Sequence, residues 1–456
     1  MFCTFVNEIN LLTKVVISLF SLQKTKKDIN STLNLFLCIK NLCSNNLLSR
    51  NVFSKGLYPP LFKKVKNYLK KFGNINELPT PLSSFQCVLH KHEILICGGY
   101  KQTVCYSYHT LKNKYKFICE YPSDVQLCGN CVVKFVDNNN QTTLLSFGGR
   151  YKHTLVMKYV SVWSKISNIS RKSNEFNNYN KWIPFTDNNN NPIIIGRNND
   201  NYYEVRAVIG GSNNNLLFIT YYPKDISVFN LNTFQFIKHY SLPIINYIEY
   251  PCFVLKSKNG QEQEVMKTNK LNYMLLFCYN TGLSIEYDED KNTFQFHQLY
   301  VCNDITLLNK CAYVRINDII LFFGGCGLSN NKFVVSKSVR KYSIAENKWT
   351  IFENILHSPL YNCVAILSEE SNYIHIIGGT NDKKITMLAH MKTKAYVWDP
   401  SLLEIKFIIQ YWIQTSKIKL GWIEDFDKII MQYYNEIKFN IRYNQFFDEE
   451  ICPLQI

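Results

Sequence analysis

Short apolar runs, each stopped by a glycine or polar break, recur between residues 78 and 400. Ile94–Cys97 runs into Gly98-Gly99, Leu144–Phe147 into Gly148-Gly149, Ile320–Phe323 into Gly324-Gly325 and Ile374–Ile377 into Gly378-Gly379. Leu216–Tyr222 and Leu275–Thr281 keep the apolar run and lose the glycine pair. Runs this short suit buried strands and not helices. With the first glycine or its equivalent as marker, the positions are 98, 148, 220, 278, 324 and 378, with gaps of 50, 72, 58, 46 and 54. Recurrence at a period near ~50 residues is the mark of a repeat architecture.

Two further landmarks share the period. Tyr106–Tyr115, Phe229–Phe236, Tyr287–Phe296 and Tyr342–Trp349 each read aromatic, polar turn, aromatic, and Asn232–Phe236 and Asn292–Phe296 are identical pentapeptides. Asn and Asp bond their own backbone and tolerate positive φ, so these segments predict tight hairpins. Another apolar stretch is expected ahead of each marker, examples being Phe85–Leu89, Asn130–Val136, Pro251–Leu255, Lys310–Val314 and Asn362–Leu367. Each unit therefore predicts four short strands in one antiparallel sheet. Six such sheets facing one another around an axis leave only short, protected edges.

The ordered recurrence of apolar run, Gly-Gly, aromatic-acidic turn and Trp or Phe resembles the kelch repeat, over roughly Leu78 to Pro400. The Asn-rich kelch-motif proteins of protists are the nearest likeness. The third and fourth units depart from it by lacking the glycine pair, and few units keep the family's tryptophan. The resemblance implies an all-β, six-bladed kelch-type β-propeller of four-stranded blades. It also implies that Gly98, Gly99, Gly148, Gly149, Gly324, Gly325, Gly378 and Gly379 turn the chain beside a central channel, as scaffold. The expected domains are a helical or irregular leader over 1–74, the propeller over 75–402 and a helical hairpin or tail over 403–456. The ring must close, because an open last sheet would expose unpaired backbone; if the tail is helical a strand within 73–80 closes it, and the pattern leaves open which terminus does so.

The termini are read from periodicity. Ile405, Ile408, Ile409, Trp412 and Ile413 share one helical face, and Trp422, Phe426, Ile429, Ile430 and Tyr433 repeat it. The stretch after Trp398-Asp399-Pro400 reads alternatively as the fourth strand of the last blade. Leu11–Leu22 is apolar but too short to span a bilayer. No basic segment and no clear cleavage site mark a signal peptide.

A net charge of +16, from 51 Lys and Arg against 35 Asp and Glu, raises nucleic acid or an acidic membrane surface as partners. The basic residues are scattered, whereas phosphate binding needs a clustered patch, so nucleic acid is not expected. Most of the sixteen cysteines lie in apolar strands, where a thiol acts as a small hydrophobe. Cys128 and Cys131 form a single CxxC without further ligands at zinc spacing, so no metal is expected. Reduced, buried cysteines suit a cytoplasmic protein.

The functional expectation is a monomeric, non-catalytic scaffold binding a protein partner through the loops after the glycine pairs. Its candidate contacts are Tyr100, Lys101, Arg150, Tyr151, Lys152, Tyr221 and Tyr222, since Tyr and Arg anchor interfaces well. Acidic peptides would suit the Arg150–His153 cluster. A propeller enzyme of the copper-oxidase type is the alternative; the dispersed histidines and the absence of paired carboxylates speak against it, and no cofactor is expected. A basic-surface nucleic-acid binder is the third reading.

Overall fold

A computed structural model describes residues 72–136, 141–164, 178–256, 270–301, 309–329, 332–352 and 355–398. The expected C-terminal helices and most of the expected leader lie outside these residues.

Six four-stranded antiparallel sheets follow one another. The first blade holds β2 (Gln86–His90), β3 (Glu93–Gly99), β4 (Gln102–His109) and β5 (Lys114–Glu120), and the second β6 (Asn130–Val136), β7 (Thr142–Gly148), β8 (His153–Lys158) and β9 (Ile183–Pro184). The third holds β10 (Asn201–Gly210), β11 (Leu216–Tyr222), β12 (Asp225–Asn230) and β13 (Gln235–Ser241). The fourth holds β14 (Cys252–Leu255), β15 (Leu271–Cys278), β16 (Thr281–Asp288) and β17 (Thr293–Leu299). The fifth is β18 (Ala312–Ile316), β19 (Ile319–Phe323), β22 (Val339–Ser343) and β23 (Lys348–Phe352), with a separate hairpin of β20 (Cys326–Ser329) and β21 (Lys332–Val335) between its second and third strands. The sixth has β24 (Val364–Ser368), β25 (Tyr373–Ile377) and β26 (His390–Lys394), and its fourth position is filled by β1 (Gly73–Asn74). The ring therefore closes from the N-terminal side, Gly73 pairing with Lys392 and Asn74 with Met391. This places the closing strand just ahead of the expected boundary at 75.

The continuous apolar runs are explained by burial on both faces. In β3, Ile94 and Ile96 join the core against the sixth blade, while Leu95 and Cys97 join the core against the second. Every residue of β3 is buried. Four further inter-blade cores complete the circle. The outer strands alternate instead, as in β17, because only one of their faces packs.

The aromatic landmarks are cross-strand pairs between third and fourth strands. Tyr108 faces Tyr115, Phe229 faces Phe236, Tyr287 faces Phe294 and Tyr342 faces Trp349, with ring centroids 4.9, 5.1, 4.9 and 5.0 Å apart. In three blades the first tyrosine also donates to an Asn five residues on: Tyr108 to Asn113 at 2.8 Å, Tyr287 to Asn292 at 3.0 Å and Tyr342 to Asn347 at 2.9 Å. These asparagines turn the hairpin at φ of 52°, 52° and 49°. The identical pentapeptides are not equivalent. Asn292 holds the left-handed position in the fourth blade, whereas in the third it is held by Phe234. The hairpins superpose at a shift of two residues from the sequence match, because the aromatic pair sets the register. Asn347→Ala removes both the acceptor and the tolerance of positive φ. A loss of about 2–3 kcal/mol is expected in urea unfolding, and Asn347→Gly, which keeps the φ, should lose about 1.

Candidate partner-binding face

The antiparallel order brings the turns between second and third strands to the same end of every blade as the segments that enter the first strands. At this end the second glycine of three of the four pairs donates to the entering segment of the next blade, and in the first blade Lys101 N–H does so, to Leu127 O at 3.3 Å. Gly149 N–H bonds Tyr202 O at 2.9 Å, Gly325 bonds Leu360 O at 2.8 Å and Gly379 bonds Leu82 O at 2.8 Å. The first glycine of each pair has positive φ. The fourth blade, without the glycine pair, makes the link with a side chain: Tyr279 Oη donates to Glu249 at 2.6 Å and accepts from Asn309 of the next blade at 3.1 Å.

The expected contact residues divide. Tyr100 and Tyr151 are 49% and 51% exposed at the ends of adjacent blades. Lys101 and Arg150 are also exposed, with Lys101 Nζ 5.3 Å from the Tyr100 ring. Lys152 donates to the carbonyls of Arg197 and Asn198, both at 2.9 Å. Tyr222 is half-buried with its ring 5.2 Å from that of Tyr247. Tyr221 does not belong to the face. It is 1% exposed, its ring lies 4.6 Å from Tyr202 and its hydroxyl meets Ser227 at 3.0 Å. Strand alternation explains this, since neighbours in β11 point to opposite sides. His153 also leaves the expected basic cluster, because burial pushes its imidazole down to about 4 and Ser146 Oγ holds Nε2 at 2.8 Å.

Inside this face the inner strands converge on the axis. There Cys87, Cys131, Ala207, Ala312, Cys363 and Ala365, together with the larger Arg206 and Tyr313, line a cavity of about 220 Å³. Burial pushes the thiols up, Cys131 to about 11 and Cys363 to about 12, so they are uncharged at neutral pH. They serve as small wall residues, among the free cysteines of the described residues.

The mouth of the cavity holds groups that the repeat pattern does not single out. Each inner strand is entered through a left-handed residue: Ser84, Gly129, Glu204, Tyr250, Lys310 and Asn362, at φ of 50°, 71°, 57°, 49°, 56° and 55°. Five of the six are not glycine. Neighbouring members bond around the ring, Ser84 N–H to Asn362 O at 3.1 Å and Asn362 N–H to Lys310 O at 2.8 Å. Glu204 is 5% exposed and pairs with Arg206 at 3.3 Å; burial raises its carboxyl above the usual range. Lys310 Nζ lies 4.4 Å from the Tyr250 ring, and Tyr250 Oη lies 2.8 Å from Tyr203 Oη. Their common signal, a left-handed residue at the entry to the inner strand, is carried by six different residue types and shows only in the backbone.

No group of His, Cys, Asp and Glu among the described residues has the arrangement to hold a metal ion. No helix among them is long and apolar enough to cross a membrane. No protein-family model matches the chain, and no curated protein matches it. Among solved structures the chain is similar to the one described as "Structure of YjhT", with a TM-score of 0.49 and 14% identity over 69% of this chain and 95% of that chain. On its own six sheets, the chain is a six-bladed β-propeller.

Proposed function

We propose that this propeller is a kelch-type, non-catalytic interaction scaffold of the cytoplasm that binds a protein partner across the face of the glycine turns. The observation that carries this reading is the pair of half-exposed tyrosines, Tyr100 and Tyr151, set among Lys101, Arg150 and Lys152 on adjacent blades. Rigid aromatic rings and a guanidinium on short, tied turns supply contact area with little ordering cost. The partner carries carboxylates opposite this group, which also gives binding a salt-sensitive encounter rate.

The test is affinity capture with the full chain beside an Arg150→Ala, Tyr151→Ala, Lys152→Ala variant, at low and high salt and after nuclease treatment. A protein retained at high salt and lost at least about tenfold in the variant is expected, the size of a modest hot-spot loss. Recovery of nucleic acid alone, released by salt and indifferent to the variant, overturns the reading.

A further inference from the structure

The fifth and sixth blades carry a different chemistry on the same face. The β20–β21 hairpin stands apart from the blade sheets and is tied at its base, Cys326 N–H to Asn309 O at 2.8 Å and Ser336 N–H to Gly325 O at 2.8 Å. Farther out, Leu328 and Phe333 face each other across the ribbon and are 69% and 51% exposed. The Phe333 ring sits edge-on to Tyr361, whose backbone pairs with Thr380, so the ribbon adjoins the corresponding turn of the sixth blade. That turn exposes Ile385 at 55%.

Charge around these three apolar residues is one-sided. Lys332 opens the second strand of the ribbon and Lys337 follows it, and Lys383 and Lys384 precede Ile385; all four are exposed, and Asp382 is the one carboxylate among the described residues of the two turns. The ion pairs of the described residues involve none of the four. The cations are all lysine, a residue depleted from protein–protein interfaces. The apolar side chains stand exposed on turns and line neither of the two cavities near the axis. Protruding apolar residues ringed by lysine instead match a fluid, negatively charged surface: the apolar tips enter the headgroup boundary while the lysines stay among the lipid phosphates and carboxylates.

We propose that the β20–β21 hairpin and the Asn381–Ile385 turn dock this propeller peripherally on an anionic lipid surface. The contact is reversible, since few side chains enter, and it depends jointly on apolar insertion and charge. It uses the fifth and sixth blades, so it is separate from the group on the first and second that the scaffold reading rests on.

The test is co-sedimentation of the full chain with vesicles of phosphatidylcholine alone and with added phosphatidylserine, at low and physiological salt. Each lysine near an anionic surface is worth about fivefold in binding. At least about tenfold preference for the phosphatidylserine vesicles is expected, and Lys383→Glu with Lys384→Glu should abolish it. Leu328→Ser with Phe333→Ser should lower binding about tenfold at equal charge. The Arg150, Tyr151 and Lys152 triple variant should bind vesicles within about twofold of the native chain, which separates this proposal from the scaffold reading. Absence of binding to either vesicle overturns the proposal and leaves the apolar tips to a protein groove. Binding indifferent to the Leu328 and Phe333 pair also overturns it, leaving plain charge adsorption.

Discussion

A Gly324→Ala protein is expected to lose about 4 kcal/mol or more of stability, enough to leave much of the chain unfolded at growth temperature. A Cβ at this position would stand 2.1 Å from the carbonyl oxygen of Leu360, which is backbone and cannot rotate away. Gly324 also has φ of 66°, where a side chain adds about 1–2 kcal/mol of strain. To relieve the clash the Leu360 segment must lift, and that movement breaks the bond from Gly325 N–H which links the fifth blade to the sixth. Gly378→Ala should behave alike, since its Cβ would stand 2.5 Å from Leu82 O at the seam where the ring closes. Gly73→Ala is the control: its nearest contact is the flexible side chain of Lys392 at 3.7 Å, so a change within about 0.5 kcal/mol is expected. Urea midpoints for the three variants decide the matter. A Gly324→Ala midpoint equal to that of Gly73→Ala would sink the latch account.

Acid should open the same seam. Tyr115 of the first blade contacts His390 Nδ1 of the sixth, and His390 Nε2 lies 3.0 Å from His375 Nδ1. With Tyr115 donating, the chain of donors ends at His375 Nε2, which is buried without a partner. The Tyr108 ring covers both imidazoles, and Lys392 is the charged neighbour. Burial pushes His375 down from 6.5 to about 3, and burial together with His375 and Lys392 holds His390 well below its ordinary value. Both are therefore neutral when folded and protonate first in the unfolded chain. Their contribution to stability is full above pH about 6.5 and is lost progressively as pH falls toward the folded values. Between pH 6.5 and 5 the loss is about 2 kcal/mol for the first of them, and no more than about 4 for the pair. Unfolding free energies at pH 7 and pH 5 should differ by that much less in a His375→Gln, His390→Gln protein. An equal pH slope in the two proteins would assign the acid sensitivity elsewhere, His153 being the next such group.

The architecture was legible because the blade imposes three constraints at one period. A second strand buried on both faces demands an unbroken apolar run, a close crossing demands glycine, and a tight hairpin between aromatic partners demands Asn or its like. The site was less legible because its members obey no common residue type. Glu204, Tyr250 and Lys310 share only a backbone conformation. Tyr221 and Tyr222 look alike in the sequence, yet alternation buries one and leaves the other half-buried. The β20–β21 hairpin left no trace in the spacing, because the gap of 54 that contains it falls within the range of 46 to 72 spanned by the other gaps. The repeated pentapeptide misleads for a related reason: five identical residues weigh less than one aromatic pair when strands choose a register.

The ring's closing strand carries a consequence for the order of events during synthesis. Among the described strands Gly73 and Asn74 leave the ribosome first, while their partners Met391 and Lys392 belong to the last. For the whole of the intervening translation the first blade presents Ile94, Ile96 and Tyr108 with no sixth blade to cover them. At roughly 5–20 residues per second that interval lasts on the order of tens of seconds, far longer than a hairpin needs to form. The nascent propeller is thus an open arc with an adhesive flank at its leading end, and a chaperone that shields this flank would govern its yield more than any step within a blade.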